Sequence, residues 1–178
     1  KENVVVLMAG GLGQRLHPLT NDCPKPLLMV GSRPILETIL NNFIEYGFYR
    51  FYIAVNYKAT MIEEYFGDGS KWDVEISYLR EKDKLGTAGA LSLLEEKQKE
   101  PIIVMNGDLL TKVNFNHLLD FHTEQIGQAT MCVREYKFKV PYGVVQLDKH
   151  NLTGIVEKPV QNCFVSAGIY VLEPEALN

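Results

Sequence analysis

The sequence predicts an α/β protein in which helices cover both faces of a mostly parallel sheet. Through the first 128 residues, short apolar strands alternate with amphipathic helices, and the links between them are short. That alternation is typical of parallel strands joined by crossover helices. From about residue 129 onward, consecutive strands separated by turns follow one another, so the second part is richer in β-structure.

Apolar runs and helical spacing define the elements of the first part. The first strand, Val4–Met8, is wholly apolar and ends at glycines. Pro34 stands where the first helix begins, Ser32 is its expected N-cap, and Gly47 ends it. The next predicted elements are strand Phe51–Val55, helix Ala59–Phe66, strand Glu75–Leu79, helix Thr87–Lys97, strand Pro101–Met105 and helix Phe115–Thr123, which Asn114 caps.

The second part is predicted as strands with a short helix at the end. Pro174 is the expected first residue of that helix. The predicted strands are Thr130–Val133, Gly143–Leu147, Thr153–Val156 and Phe164–Leu172.

Composition narrows the classes of function. The chain has 178 residues, enough for one domain, with the ordinary globular values of 46% hydrophobic and 22% charged residues. A net charge of −4 argues against nonspecific nucleic-acid binding, which needs a basic surface. Neither an apolar run of about 18 residues nor a signal peptide occurs, so we expect a soluble, cytoplasmic protein without a membrane partner. The three dispersed cysteines, without a CxxC pair, offer neither a disulfide framework nor a zinc site.

A glycine-rich turn after the first strand is the strongest functional signal. It has the sequence Gly-Gly-Leu-Gly at 10–13 and is followed by Arg15 and, further along, by Lys25. Glycines let backbone N–H groups approach an anion, and the two cations can neutralise a polyphosphate. The alternative is a tight turn without a ligand, which has no need of the two cations.

Two familiar phosphate loops do not fit this turn. A Walker loop has Lys and then Ser or Thr after its last glycine, but Gln14 and Arg15 follow here. A dinucleotide fingerprint would need glycine at position 16, which is Leu16. The pattern A-G-G-x-G-x-R-L-x-P-L-T at Ala9–Thr20, with P-K-P at Pro24–Pro26, instead resembles the signature of sugar-1-phosphate nucleotidyltransferases.

This resemblance covers nearly the whole chain and implies its fold and extent. The family fold is a Rossmann-like three-layer sandwich with a mostly parallel mixed sheet. The resemblance implies one nucleotidyltransferase domain, with a nucleotide-binding half at 1–128 and the start of a sugar-phosphate-binding half at 129–178. Similar members continue well past the equivalent of Asn178, so we expect a fragment truncated at both ends. The most similar members carry CBS modules before the transferase domain. The resemblance leaves open whether the protein forms a homo-oligomer.

An acidic residue follows another predicted strand. Asp108 comes shortly after Pro101–Met105, at the strand end where open α/β sheets bind ligands. Carboxylate oxygen is a natural ligand of Mg²⁺, and the resemblance implies that Asp108 holds the catalytic metal. The alternative is an aspartate that caps a helix or a turn. A sugar-transferring enzyme would often have D-x-D here, and Asn106 weakens that interpretation.

The resemblance also implies a site for the nucleotide. Small residues at 85–90 would lie against the base and ribose, and Glu81 aligns with the base-reading residue. A carboxylate only accepts hydrogen bonds, and guanine presents two adjacent donors, so Glu81 favours GTP. The alternative is that Glu81 is a solvated surface acid. The implied nucleotide-binding residues are Ala9, Gly10, Gly11, Gly13, Glu81, Gly86 and Thr87.

Motifs in the second part resemble those that bind the sugar 1-phosphate. By this resemblance Gly143 approaches the sugar, Glu157 accepts hydrogen bonds from its hydroxyls, and Lys158 holds its phosphate. The alternative for Glu157 and Lys158 is an exposed turn pair without a role. The implied sugar-phosphate residues are Tyr142, Gly143, Glu157, Lys158 and Gly168.

The implied reaction joins a nucleoside triphosphate to mannose 1-phosphate or another hexose or hexosamine 1-phosphate and releases pyrophosphate. Mg²⁺ is the implied cofactor, and the implied catalytic residues are Arg15, Lys25, Asp108 and Lys158. Relatives use a second metal-binding Asp that lies beyond residue 178, so we expect this chain alone to turn over slowly or not at all. The alternative from another class is a non-catalytic domain that senses nucleotide or sugar phosphate.

Overall fold

A six-stranded mixed sheet is the centre of the fold. The computed structural model describes residues 1–81, 89–94 and 97–177. The strands are β1 (Val4–Met8), β2 (Met29–Val30), β3 (Arg33–Pro34), β4 (Arg50–Val55), β5 (Glu75–Arg80), β6 (Ile102–Asn106), β7 (Ala129–Lys139), β8 (Val144–Asp148), β9 (Asn151–Val156) and β10 (Val160–Leu172). The α-helices are α1 (Ile35–Glu45), α2 (Ala59–Phe66) and α3 (Phe115–Gln125), and short 3₁₀ helices lie at Gln14–Leu16, Lys25–Leu27, Ser70–Trp72, Gly89–Leu93 and Pro174–Leu177.

The strand order places β1 inside the sheet. The order is β5-β4-β1-β6-β10-β7. β1 pairs in parallel with both β4 and β6, and β4 pairs in parallel with β5. β10 is antiparallel to β6, with Ile169 opposite Met105. This mostly parallel mixed sheet confirms the predicted α/β fold.

Burial on both faces explains why β1 has only apolar residues. Its side chains alternate between the faces of the sheet, and the first four are buried. Val4 and Val6 pack in one apolar cluster with residues from the neighbouring strands and from Gly89–Leu93. The other buried members of that cluster are Ala54, Leu79, Ala90, Leu91, Ile102 and Val104.

Buried phenylalanines join α1, α3 and β4. Phe43 of α1 stacks on Phe115 of α3, with ring centroids 3.9 Å apart and planes 17° from parallel. Phe48 and Phe51 make edge contacts with Phe43, at centroid distances of 5.5 and 6.3 Å. Stacked and edge-on pairs stabilise a core beyond the burial of their area. These contacts fix the two helices against the sheet.

Most predicted elements of the first part are present, with ends shifted by a residue or two. α2 has the predicted bounds. Asn114 caps α3 as predicted, because its Oδ1 accepts hydrogen bonds from the backbone N–H groups of Asn116 and His117 at 3.0 and 3.2 Å. The predicted cap at Ser32 is wrong: Arg33–Pro34 pairs as a strand with β2, and α1 then begins at Ile35 without a side-chain cap.

The predicted helix Thr87–Lys97 is only partly described. Its described centre, Gly89–Leu93, is a 3₁₀ helix and not the α-helix that the sequence predicts. The Leu94 N–H donates to the carbonyl of Leu91, three residues back, and the Ser92 hydroxyl donates to the carbonyl of Gly89. Both bonds close short turns.

The chain divides into two compact units. The first contains residues 1–131 and, in its described part, 168–177; the second contains Cys132–Ala167. In the second unit β8 and β9 form an antiparallel hairpin with a register shift between Gln146 and Leu147, and none of its residues is buried. The two units are defined by how densely their residues contact one another, not by what they bind. The predicted nucleotide-binding and sugar-phosphate-binding halves therefore stay a prediction.

Strands β7 and β10 are longer than predicted, because residues 134–139 and 160–163 are largely polar and give little apolar signal. In the described residues, every helix is too short or too polar to cross a membrane.

Candidate functional site

A cleft of about 860 Å³ lies at the carboxyl edge of the four parallel strands. Its lining includes Glu81 after β5, Asn56 after β4, Ala9 after β1 and Asp108 after β6. Because the carboxyl ends of parallel strands meet at one edge, residues far apart in sequence gather there. Glu81 follows β5 and Asp108 follows β6, and these two strands are three inter-strand spacings apart in the sheet. That distance is about 14 Å.

The glycine loop begins where β1 ends and is fixed by close packing. Ala9 is buried, and its N–H donates to the carbonyl of Ala54 at 2.8 Å. A Cβ on Gly10 would lie 3.3 Å from the Cβ of Asn56. Gly13 has a φ of +64°, and a Cβ there would lie 2.8 Å from Cγ2 of Thr20. The protein's own packing therefore favours glycine at both positions.

Gly11 differs from its neighbours. A Cβ on Gly11 would meet no atom of the described chain within 4 Å, and its φ lies outside the left-handed region. Gly11 also lines the cleft. Neither packing nor backbone conformation in the described chain calls for glycine here, and the absence of a side chain leaves this part of the cleft open. The phosphate-loop role of the turn stays a prediction.

Two short 3₁₀ helices carry the predicted cations. Arg15 lies in Gln14–Leu16, which begins directly after the left-handed Gly13, and it is one of the residues that line the cleft. Lys25 is the first residue of Lys25–Leu27, which Pro26 anchors by its burial. The structure thus brings Arg15 and Lys25 to one cleft, as the sequence predicts.

Lys25 and Asp108 form an ion pair across the cleft, between the lysine Nζ and the aspartate Oδ2. Their side chains are 35% and 38% exposed. Gly107 makes the approach of this segment to β1 possible: its N–H donates to the Met8 carbonyl at 2.8 Å, and a Cβ there would lie 2.9 Å from that oxygen. Asp108 is therefore held at the edge of the sheet with a cation beside it.

The donor set fits Mg²⁺ that arrives together with phosphate. Asp108 and Glu81 are the carboxylates in the cleft lining, but they follow strands about 14 Å apart, so a single ion would be held by one of them. No group of three His, Cys, Asp or Glu side chains comes together within the described residues. Mg²⁺ is commonly bound through one or two carboxylates plus substrate phosphates and water. The metal role of Asp108 stays a prediction.

The backbone of Glu81 is held at the far end of the cleft. Its N–H donates to the Val55 carbonyl at 3.1 Å, and its carbonyl accepts from Nδ2 of Asn56 at 3.2 Å. The role of Glu81 in reading the base stays a prediction. Gly86 and Thr87 lie outside the described residues.

In the second unit, four predicted sugar-phosphate residues are neighbours. The Lys158 N–H donates to the Tyr142 carbonyl at 3.2 Å. A Cβ on Gly143 would lie 3.2 Å from Oε2 of Glu157, so glycine gives that carboxylate room. Lys158 Nζ lies 3.6 Å from Oε1 of Glu157, and both side chains are more than half exposed. The structure brings these residues together at the open end of the β8–β9 hairpin, where Tyr142 and Gly143 precede β8 and Glu157 and Lys158 follow β9. Their roles stay predictions.

Gly168 belongs to the first unit. It has a φ of +71°, and a Cβ there would lie 2.5 Å from Nδ2 of Asn106, which lines the cleft. Glycine is therefore required at this position by backbone conformation and by the packing of Asn106.

Among the cleft residues that the predicted site set lacks, two are polar side chains at strand ends. Asn56 and Asn106 both line the cleft. Each stands at or just after the carboxyl end of a parallel strand, the same signal that identified Asp108. Applied to every strand, the strand-end rule would have found them.

Comparison with known proteins identifies the family. The family model described as Nucleotidyl transferase matches residues 4–178. The chain belongs to this nucleotidyl transferase family. It is 35% identical over 182 residues to "Mannose-1-phosphate guanyltransferase" of Pichia angusta, covering 97% of this chain and 50% of that protein. The chain thus spans about half the length of the curated relatives it matches.

Solved structures of similar fold support the family assignment. HddC from Yersinia pseudotuberculosis, complexed with GMP-PN, is 25% identical, with a TM-score of 0.71 over 98% of this chain and 78% of that one. A provisionally named glucose-1-phosphate thymidylyltransferase from Bacillus anthracis has a TM-score of 0.76 at 23% identity, covering 97% of this chain and 72% of that one. The second likeness concerns the fold of the nucleotidyl transferase domain alone.

Proposed function

We propose that the full-length protein is a sugar-1-phosphate nucleotidyltransferase, which forms a nucleotide sugar and pyrophosphate from a nucleoside triphosphate. One observation carries the proposal: a single cleft holds an open glycine loop, two cations and a carboxylate at the carboxyl edge of a parallel sheet. The membership of the nucleotidyl transferase family supports it.

In the proposed reaction a phosphate oxygen of the sugar 1-phosphate attacks the α-phosphorus of the triphosphate. The bond from the α-phosphorus to the bridging oxygen breaks, and its electron pair leaves with pyrophosphate. The nucleophile is already an anion, so the protein needs to position charges more than to move protons. Arg15 and Lys25 would neutralise the leaving pyrophosphate, and Lys158 would hold the incoming phosphate. Mg²⁺ bound at Asp108 would neutralise charge on the phosphates.

The proposed donor is GTP, and the proposed acceptor is mannose 1-phosphate or another hexose or hexosamine 1-phosphate. Glu81 lies in the cleft lining, where its carboxylate can accept from the two adjacent donors of guanine. Curated relatives at 34% and 35% identity carry the name mannose-1-phosphate guanylyltransferase or guanyltransferase, and this supports the choice.

The experiment is a matrix of four nucleoside triphosphates against several sugar 1-phosphates with Mg²⁺ and the full-length protein. Pyrophosphate release is measured through coupled hydrolysis to phosphate. Pyrophosphate formed only when both substrates are present supports the transferase. Nucleotide binding without any pyrophosphate would favour a sensing domain instead.

A further inference from the structure

Thr20 is a buried polar residue that the proposed reaction does not use. Its exposure is 0%, and it lies seven residues past Gly13, at the end of the turn that carries Arg15. Its Oγ1 donates to the Gly13 carbonyl at 2.9 Å, and that same carbonyl accepts from the Leu16 N–H at 2.9 Å. The hydroxyl therefore bonds to the peptide group from which the 3₁₀ helix of Arg15 begins.

The methyl group of Thr20 acts on the same residue. Cγ2 would lie 2.8 Å from a Cβ at Gly13, so it packs directly against the Gly13 Cα. Gly13 has no side chain to hold its own left-handed backbone in place, and glycine reaches many other conformations at little cost. The hydroxyl and the methyl group of Thr20 together restrict the backbone of Gly13 on one side.

Thr20 is itself held by the segment that follows β4. Tyr57 Oη donates to the Thr20 carbonyl at 3.4 Å, and Lys58 Nζ donates to the Asn21 carbonyl at 2.5 Å. A continuous chain of contacts thus runs from the end of β4 through Thr20 to Gly13. Thr20 is buried and hydrogen-bonded both to Tyr57 and to Gly13, so it has few alternative positions. The position of the glycine loop therefore depends on that of the sheet.

We propose that the Thr20 hydroxyl is a positioning group, which fixes the left-handed Gly13 and thereby sets where the glycine loop and Arg15 meet the phosphates of the nucleotide. This inference rests on the proposed nucleotide site. Thr20 does not touch substrate; it acts through Gly13.

The test compares Thr20→Val, which removes the hydroxyl and keeps the shape, with Thr20→Ser, which keeps the hydroxyl. Thr123→Val is the matched control, because the Thr123 hydroxyl also donates to a backbone carbonyl, that of Leu119 at 3.0 Å, on an exposed part of α3. Amide hydrogen exchange over residues 13–19 is measured without ligand. Binding of the four nucleoside triphosphates is measured by calorimetry with Mg²⁺ and no sugar 1-phosphate.

We expect Thr20→Val to speed exchange at 13–19 and to weaken triphosphate binding by roughly three- to tenfold, the effect of one lost hydrogen bond. Thr20→Ser keeps the hydroxyl and loses the methyl contact, so it should restore most of both values. Thr123→Val should leave both unchanged. If Thr20→Val does not fold, Thr20→Ala replaces it with the same expectation. A merely structural role would lower the unfolding midpoint without this local exchange pattern.

Three outcomes overturn the inference. Exchange and binding in Thr20→Val could equal those of the unmodified protein, or Thr20→Ser could be as impaired as Thr20→Val; in both cases the unmodified protein still binds nucleotide and the proposed function stands. If the unmodified protein binds none of the four triphosphates, the proposed function fails and the inference fails with it.

Discussion

The ion pair between Lys25 and Asp108 places a tethered cation on the carboxylate that is proposed to hold Mg²⁺. The two residues are 83 positions apart, so the pairing exists only in the folded chain. Both side chains are about a third exposed, and an ion pair of that kind is worth about 0–1 kcal/mol. The pair is therefore easily exchanged for other partners, such as a phosphate for Lys25 and a metal ion for Asp108.

We predict that Lys25→Gln strengthens the binding of Mn²⁺ to the nucleotide-free protein by about two- to fivefold, because the competing cation is gone. Electron paramagnetic resonance of free Mn²⁺ measures this directly. Lys71→Gln, at an exposed lysine in the 3₁₀ helix Ser70–Trp72, is the control. Unchanged or weaker Mn²⁺ binding in Lys25→Gln would show that the ion pair does not compete with the metal.

Asp108→Asn should lower the turnover of the full-length protein by about a hundredfold or more and leave the fold intact. Stabilisation of developing charge by a bound metal is worth several kcal/mol in the transition state. Steady-state kinetics at saturating Mg²⁺ and circular dichroism measure the two quantities. Asp120→Asn, at an exposed aspartate of α3, should match the unmodified protein. A normal rate in Asp108→Asn would remove Asp108 from the catalytic site.

The choice of base is predicted to depend on Glu81. GTP should be preferred, and ITP, which lacks the 2-amino group, should have a kcat/KM about ten- to a hundredfold lower, since one charge-assisted hydrogen bond is lost. Glu81→Gln should narrow the gap between GTP and UTP or dTTP, because an amide can donate to a pyrimidine carbonyl. Glu64→Gln is the control at an exposed residue. Equal or better use of UTP or dTTP by the unmodified protein would contradict the role of Glu81.

At the residue scale, local sequence rules predicted which residues line the cleft better than they predicted the contacts between those residues. Gly10 and Asp108 each lie two residues past the end of a parallel strand, and sequence alone pointed to both. The contact of Thr20 with Gly13 and that of Lys25 with Asp108 depend on the path of the loop in space, which no spacing in the sequence encodes.

At the scale of elements, a bidentate ion pair joins α2 to β5. Arg80 donates through Nε to Oε1 of Glu63 at 2.6 Å and through its terminal nitrogen to Oε2. This hydrogen bonding with Arg80 lowers the pKa of the Glu63 carboxyl below its usual value. The Glu63 side chain is 20% exposed, and that of Arg80 is 61% exposed, so solvent screening keeps the contribution of the pair small.

We predict that Glu63→Gln lowers the free energy of unfolding by about 0.5–1 kcal/mol at pH 7. Because the folded pKa is the lower one, the stabilisation is present above the unfolded pKa of Glu63 and is lost as the pH falls through the folded value. Urea unfolding measures the free energy of unfolding of both proteins between about pH 3 and pH 7, a range that includes the titration of carboxylates. The two free energies should become equal towards the acid end of this range. Glu64→Gln, one residue away and exposed, is the control. A difference that persists at low pH would assign the effect to packing.

Elements with strong local signals were predicted with accurate bounds, and those fixed by tertiary packing were not. The apolar stripe of α2 and the cap at Asn114 are local, and both are confirmed. The start of α1 depends on the pairing of Arg33–Pro34 with β2, and the 3₁₀ form of Gly89–Leu93 accompanies its burial against the sheet. Tertiary contacts override helix signals at both places.

At the scale of the whole molecule, the alternation of strands and helices predicted the α/β class, but not the order of the strands. That β1 lies between β4 and β6, and that β10 joins β6 antiparallel, follows from which faces pack together. These pairings connect residues far apart in the chain, so local patterns carry little information about them.

The position of β1 between two later strands has a consequence for synthesis. On the ribosome the apolar segment Val4–Met8 emerges long before its partners. At usual elongation rates Val55 follows roughly 2–9 s later, and Asn106, at the end of the second partner, roughly 5–20 s later. During that interval the nascent chain presents an unpaired strand without charge or proline, the composition that favours association between chains. We therefore expect the nascent chain on the polysome to be a stage at which this fold is vulnerable to aggregation.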